Sequence, residues 1–217
     1  MKTNLKDIGY AIAKGGTGSI PLVGGIFSEL FNVAFTDPAT KRREKVLLDM
    51  NMRLHSLEVE GYDVKQLAKS EEFLTIAMQA YNIALKSHQE EKRKALMNTI
   101  TNTPKLQIDE NKKLMYLNYL DEFNEWHLKI LSFLDNPVVY FEDSNKPNYS
   151  MAGKSTILIK AFPELSSQRS FYDRIVMDLF NKGLIVYESL HITMSEQGLW
   201  QSGSSEFGKE LLRFISD

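Results

Sequence analysis

Ala152-Gly153-Lys154-Ser155 has the ending of a phosphate-binding loop, in which backbone amides cradle a phosphate and the lysine reaches it. The full pattern requires a glycine at position 148, where Asn148 stands, and a strand ahead of it. Residues 141–153 are instead polar and carry Pro147, so the segment reads as a loop leading into a helix start. Lys14 to Gly18 is also glycine-rich, but it lacks a dinucleotide spacing and a preceding strand. A close-packed helical hairpin explains it better.

The other residues able to do chemistry are four histidines, His55, His88, His127 and His191. None is paired at the His-x-x-x-His spacing that puts two imidazoles on one helix face for a metal. Glu188 and His191 stand three apart, but on an expected strand, where they point to different faces. His127 beside Trp126 reads as helix packing, and His88 as a core histidine continuing an apolar stripe. A Ser–His–acid triad can be built from scattered positions, yet no Gly-x-Ser-x-Gly elbow occurs and Gly203-Ser204-Ser205 does not match one. No catalytic residue, metal ligand or cofactor is assigned; a hydrolase assembled from scattered residues stays an open alternative.

Two cationic clusters stand out. Lys41-Arg42-Arg43 with Lys45 is diluted by Glu44 and Asp49, and Lys92-Arg93-Lys94 follows Glu90 and Glu91 at spacings that allow helix ion pairs. The plain reading is solvated helix faces. The sharper one joins Lys41, Arg42 and Arg43 to the apolar run before them, with Ile20, Leu22, Ile26, Phe27, Leu30 and Phe31, as a partner-docking or membrane-surface element. A third set, Arg169, Arg174 and Lys182, lies where a recognition helix would, but Asp173 and Asp178 accompany it and would oppose a phosphate backbone.

Composition narrows the classes. The chain has no cysteine, which removes disulfides, thiolate zinc sites and thiol nucleophiles together. Its net charge of −2 hides no basic block: residues 164–217 carry 5 Lys or Arg against 8 Asp or Glu. Nucleic acid therefore ranks behind protein as a partner. The apolar stretch between Lys14 and Glu29 contains Pro21 and is shorter than the roughly 20 residues a spanning helix needs, and no secretory signal is expected. The expected location is cytoplasmic, with membrane association on activation as its extension.

These residues must be positioned by helices. Asp37-Pro38 opens one along Val46, Leu47, Met50, Leu54 and Leu57, which Gly61 stops. Ser70 opens another whose period runs through Leu74, Met78, Tyr81, Leu85 and His88 and resumes at Leu96 and Ile100, predicting one helix of about 30 residues to Asn102. Asp109 and Asn124 cap the next two. The last third reads as a short helix from Lys154, a firmer one to Lys182-Gly183, a strand at 184–187, a turn-rich wing at 195–203 and a closing helix over 206–215. The fold class expected is mainly α: a helical domain over 1–110 with a long central helix, and a winged-helix-like domain over 111–217 with a small β-hairpin.

Several stretches resemble a known group. Ser19-Ile20-Pro21-Leu22-Val23-Gly24-Gly25, then Lys41-Arg42-Arg43, His88-Gln89-Glu90-Glu91-Lys92 with Leu96 and Asn98, and Trp126-His127-Leu128-Lys129-Ile130-Leu131 look like uncharacterised bacterial proteins. In layout they resemble the abortive-infection Abi-alpha family. The resemblance covers most of the chain, rests on short motifs, and implies a role in phage defence without transferring any catalytic residue.

The reading is thus a non-enzymatic helical interaction or assembly protein of a bacterial defence system, with a protein partner or second copy as its target. A membrane-perturbing effector using the glycine-rich N-terminal segment and a winged-helix DNA-binding regulator are the alternatives.

Overall fold

The computed structural model describes residues 41–141 and 147–217. The apolar run with Ile20, Leu22, Ile26, Phe27, Leu30 and Phe31 lies outside the described residues, as do the side chains of Lys41 and Arg42. The described chain is mainly helical, with one two-stranded antiparallel sheet, and divides into two compact units between Leu117 and Asn118.

In the first unit, α1 (Lys41–Val59) buries Val46, Leu47, Met50, Leu54 and Leu57, the stripe expected from their spacing. It ends where Gly61 takes φ +94°, with Tyr62 N–H donating to Leu57 O at 2.9 Å and Gly61 N–H to Glu58 O at 3.0 Å. That pair of bonds satisfies carbonyls the helix itself cannot. A single turn, α2 (Val64–Leu67), follows, and Ser70 then caps α3 (Glu71–Lys86) by accepting from Phe73 N–H at 3.3 Å.

The expected long central helix is broken. α3 stops at Lys86 and α4 (Glu90–Asn102) starts anew, with Ser87 and Gln89 both in extended conformation. The cause is local. The Ser87 hydroxyl accepts from Gln89 N–H at 3.2 Å, offering the backbone a partner outside the helical ladder. Arg93 Nη1 donates to His88 O at 2.9 Å, and Glu90 and Glu91 favour the positive end of a new helix. α4 folds back against α3 and also packs on α1. From Ala95 to Asn102 it is buried all round, so it is the core of this unit. Its threonines are satisfied internally: Thr99 donates to Leu96 O at 2.7 Å and Thr101 to Asn98 O at 3.0 Å.

The stripe on α3 is also rotated from expectation. Phe73, Ile76, Ala77, Ala80, Tyr81, Ile83 and Ala84 are buried, while Leu74, Met78 and Leu85 are half-buried. His88, expected in the core, is exposed in the break.

α5 (Glu110–Glu122), capped by Asp109 accepting from Asn111 N–H at 3.0 Å, contains the division between the units. In the second unit, Asn124 opens α6 (Glu125–Asp135) with a capping box: its side chain accepts from Trp126 and His127 N–H, and His127 Nδ1 accepts from Asn124 N–H. After a 3-10 turn (Pro137–Tyr140) come β1 (Met151–Gly153), α7 (Lys154–Ala161), a second 3-10 turn (Pro163–Leu165) and α8 (Arg169–Asn181). Phe162 gathers Trp126, Phe133 and Tyr140 edge-on around it at 5.4–5.9 Å. α8 closes at Gly183, φ +71°, with the same two bonds seen at Gly61.

The expected strand at 184–187 is not one: Ile185 forms only an isolated bridge with Ser204. The sheet instead pairs β1 with β2 (Thr193–Ser195), Met151 opposite Ser195 and Gly153 opposite Thr193. Two helices separate these strands in the chain, so they are not the hairpin expected. The region read as a wing holds a short helix, α9 (Glu196–Trp200), started by Ser195. The closing helix α10 (Glu206–Ile215) has the bounds expected, and Ser205 caps it by accepting from Gly208 N–H at 2.9 Å. At Gly208 it passes so near Leu184 that an added Cβ would lie 2.0 Å from the Leu184 carbonyl oxygen.

Candidate functional site

The surface read as a contact face belongs to α8, whose sequence places each basic residue four before an acidic one. Arg169 Nε lies 3.5 Å from Asp173 Oδ2, and Arg174 Nη2 3.2 Å from Asp178 Oδ1. Lys182, just past the helix end, donates to Glu122 Oε2 and sits 4.6 Å from the Tyr119 ring centre. All three candidate contact cations therefore face carboxylates of their own unit. Residues 118–217 carry 9 Lys or Arg against 14 Asp or Glu, so the unit as a whole repels a polyanion.

The same helix anchors the segment ahead of β2. His191 Nε2 is 2.7 Å from Asp173 Oδ1, and its ring lies 5.9 Å from Tyr172. Burial, and secondarily the Asp173 charge, push the Tyr172 phenol above its usual value. Asp173 is thus shared between Arg169 and His191. The acid facing His191 comes from α8 and not from Glu188, which stands three residues before it in the sequence.

The remaining histidines have structural surroundings. His127 stacks on Phe123 at 4.6 Å; its Nδ1 lies 3.2 Å from Asn124 N and 3.0 Å from Asn124 Oδ1, and its Nε2 3.8 Å from Asp178 Oδ2. His55 is 3.8 Å from Glu58 on the same helix. Among the described residues, no three His, Asp or Glu side chains converge as a metal site would require.

Lys154 is the residue that sequence reasoning undervalued. It is wholly buried, and its Nζ donates to Leu199 O at 2.8 Å and Gln201 O at 2.7 Å, with the Tyr187 ring 5.2 Å away. Those carbonyls belong to the last turn of α9, so the amine caps that short helix and ties it to the start of α7. Burial lowers its pKa from 10.5 to about 8. An amine committed to two carbonyls is a fastener, which disposes of the phosphate-loop likeness at Gly153-Lys154-Ser155. The Lys-containing motif was visible in the sequence; its backbone partners were not.

Met151 on β1, Ile192 directly ahead of β2 and Val186 next to the separate Ile185–Ser204 bridge stand in solvent. Met151 is 68% exposed, Val186 55% and Ile192 59%. With only two strands, each also has an unpaired outer edge among the described residues. Among the described residues no helix is long and apolar enough to cross a membrane.

Of the surface proposed from sequence around residues 20–43, only Arg43 has a described side chain, half-buried on α1. Arg169 and Arg174 lie on α8 with Lys182 just beyond it, each engaged as given above. Compared with known proteins, the chain matches no protein-family model, no curated protein and no solved structure.

Proposed function

We propose that this is a non-enzymatic helical interaction protein whose second unit docks a protein partner or a second copy of the chain. One observation carries the reading: every cation of the α8 face is held by a carboxylate, while Met151 and Ile192 stand in solvent on and directly ahead of the strands of a sheet with open edges. Apolar side chains beside unpaired strand edges are what a protein partner covers. Nucleic-acid binding needs the opposite arrangement, free cations on a positive face.

The order α6, β1, α7, α8, bridge at Ile185, β2 is that of a winged helix-turn-helix, and this supports reading the unit as winged-helix-like. Such a unit serves protein contacts as readily as DNA contacts, because fold does not dictate function. The resemblance of the chain's layout to that of the Abi-alpha proteins supports placing it in bacterial phage defence.

Sedimentation velocity of the full chain tests the reading. The expected result is a concentration-dependent complex, with itself or with the product of a neighbouring gene, that Met151→Asp with Ile192→Asp dissolves while circular dichroism stays unchanged. A complex indifferent to those substitutions, or retardation of duplex DNA at low salt, would overturn it.

A further inference from the structure

β2 (Thr193–Ser195) pairs with β1 on one side, and among the described residues no strand lies along its outer edge. In an antiparallel ladder alternate residues turn their N–H and C=O outward, so that edge offers backbone hydrogen bonds to whatever lies beside it. The two faces of the sheet differ. Cross-strand partners share a face, so Met194 and Ala152 lie on one, and Thr193, Ser195 and Met151 on the other. α9 packs on both strands, with Gly198 so near Met194 that an added Cβ would lie 3.3 Å from the Met194 Cβ. The Met194 face is therefore covered by a helix, while Thr193, Ser195 and Met151 are exposed. A strand added at this edge would have one face against that layer and one in water, which suits alternating apolar and polar side chains. Ile192, directly ahead of β2, gives it further apolar surface.

Charge decides which polar side chains these are. From residue 183 to residue 205 the chain has no Lys or Arg, and its two carboxylates, Glu188 and Glu196, stand before and after β2. Both are exposed, and among the described residues neither is held by a hydrogen bond or an ion pair. Arg169, which shares Asp173 with His191, is already paired. The edge is thus the reverse of the α8 face: its carboxylates await cations. A second copy would bring the same two carboxylates, on a unit with 9 Lys or Arg against 14 Asp or Glu, and like charges would oppose the pairing.

We propose that the outer edge of β2 takes an extended basic segment of another protein as a third strand, with its Lys or Arg side chains meeting Glu188 and Glu196. This rests on the docking role proposed above and specifies its occupant.

Fluorescence anisotropy of the full chain with labelled peptides tests it. The probe is a short peptide of alternating valine and lysine. One control replaces lysine with glutamate; another is the valine–lysine peptide N-methylated throughout, which keeps its charge but cannot donate to a strand edge. The probe is expected to bind at least about tenfold more tightly than either control. Glu188→Gln with Glu196→Gln is expected to weaken it about fivefold, the size of two exposed ion pairs, with circular dichroism unchanged. No binding of the probe, equal binding of the N-methylated peptide, or affinity unmoved by the two glutamines would each overturn the third strand. If that happens while Met151→Asp with Ile192→Asp still dissolves a complex of the chain, the docking surface stands and only its occupant is wrong. Self-association through this edge that the probe does not displace would assign the edge to a second copy, and overturns the proposal as well.

Discussion

Lys154 Nζ donates to the carbonyl oxygen of Leu199 at 2.8 Å, across 45 residues of chain and out of reach of solvent. The bond joins the first residue of α7 to the last turn of α9, and a second to Gln201 O at 2.7 Å doubles it. Short helices such as α9 have little stability of their own and depend on tertiary ties. Met151 begins β1, which runs into α7, and Ile192 directly precedes β2, which runs into α9, so the proposed docking surface is shaped by a buried amine that never meets a partner.

That amine gives the second unit a signed pH dependence. Its folded value of about 8 lies below the 10.5 of the free side chain. Between those values the unfolded chain holds a proton that the folded chain lacks, so raising the pH stabilises the fold. Below pH 8 the full cost of burying the charge is present and the dependence levels off. Urea unfolding followed by Trp126 and Trp200, both in this unit, should show stability rising between pH 8 and 9.5 by about 1–2 kcal/mol. Lys154→Met should abolish the rise. A flat or falling profile in the wild-type chain contradicts the assignment.

Arg169 and Arg174 are 69% and 75% exposed at the side chain, and each faces an aspartate one turn on. Exposed pairs of this kind contribute little, so Arg169→Ala and Arg174→Ala should each cost no more than about 0.5 kcal/mol. Neither should alter any electrophoretic retardation of duplex DNA at low salt, since none is expected in the parent. A retardation present in the parent and lost in the double variant would restore the DNA-binding alternative.

Much of the helical frame was legible because its signals are local. Ser70, Asp109 and Asn124 cap where their side chains suggest, Gly61 and Gly183 stop helices by adopting positive φ, and Ser205 starts the closing helix. The long helix was misread for an instructive reason. Leu96 and Ile100 resume the period of Leu74 and Met78, so the apolar pattern runs straight through a break made by the Ser87 hydroxyl. Ser87 followed by Glu90 three residues later is itself a helix-start pattern. On α3 the buried set includes Ala77, Ala80 and Ala84 beside Phe73, Ile76 and Ile83, and a periodicity traced through large residues alone does not record the alanines.

The site was less legible because its partners are distant or are backbone atoms. Nothing in the residue types of Leu199 or Gln201 advertises a carbonyl aimed at Lys154. Asp173 was seen only as a charge spoiling a recognition helix, not as the acid for His191.

Sharing Asp173 between Arg169 and His191 makes a measurable coupling. His191 is 27% exposed and its bond is short, so a double-mutant cycle of Asp173→Ala with His191→Ala should give a coupling of about 0.5–1.5 kcal/mol. The cycle of Asp173→Ala with Arg169→Ala should give less, because Arg169 is mostly in solvent. Urea midpoints read both. Equal couplings would mean that His191 is no better held than a surface pair.

Gly208 and Gly61 separate two reasons for requiring glycine. A Cβ at Gly208 would lie 2.0 Å from the Leu184 carbonyl oxygen, a backbone atom that cannot swing aside. Accommodating it means moving α10 away from residue 184 and weakening both the Ser205 N–H bond to Leu184 O at 3.0 Å and the Ser205 hydroxyl bond to Gly183 O at 2.6 Å. Gly208→Ala should therefore destabilise the second unit by about 2–4 kcal/mol, in the range of severe overpacking. At Gly61 a Cβ meets nothing within 4 Å, and the only penalty is the φ of +94°. Gly61→Ala should cost about 1–2 kcal/mol from backbone strain alone, and Gly61→Asn less, because asparagine tolerates positive φ. Thermal and urea unfolding by circular dichroism should rank the variants Gly208→Ala worst and Gly61→Asn mildest. A Gly208→Ala protein as stable as the parent would show that α10 does not press on residue 184.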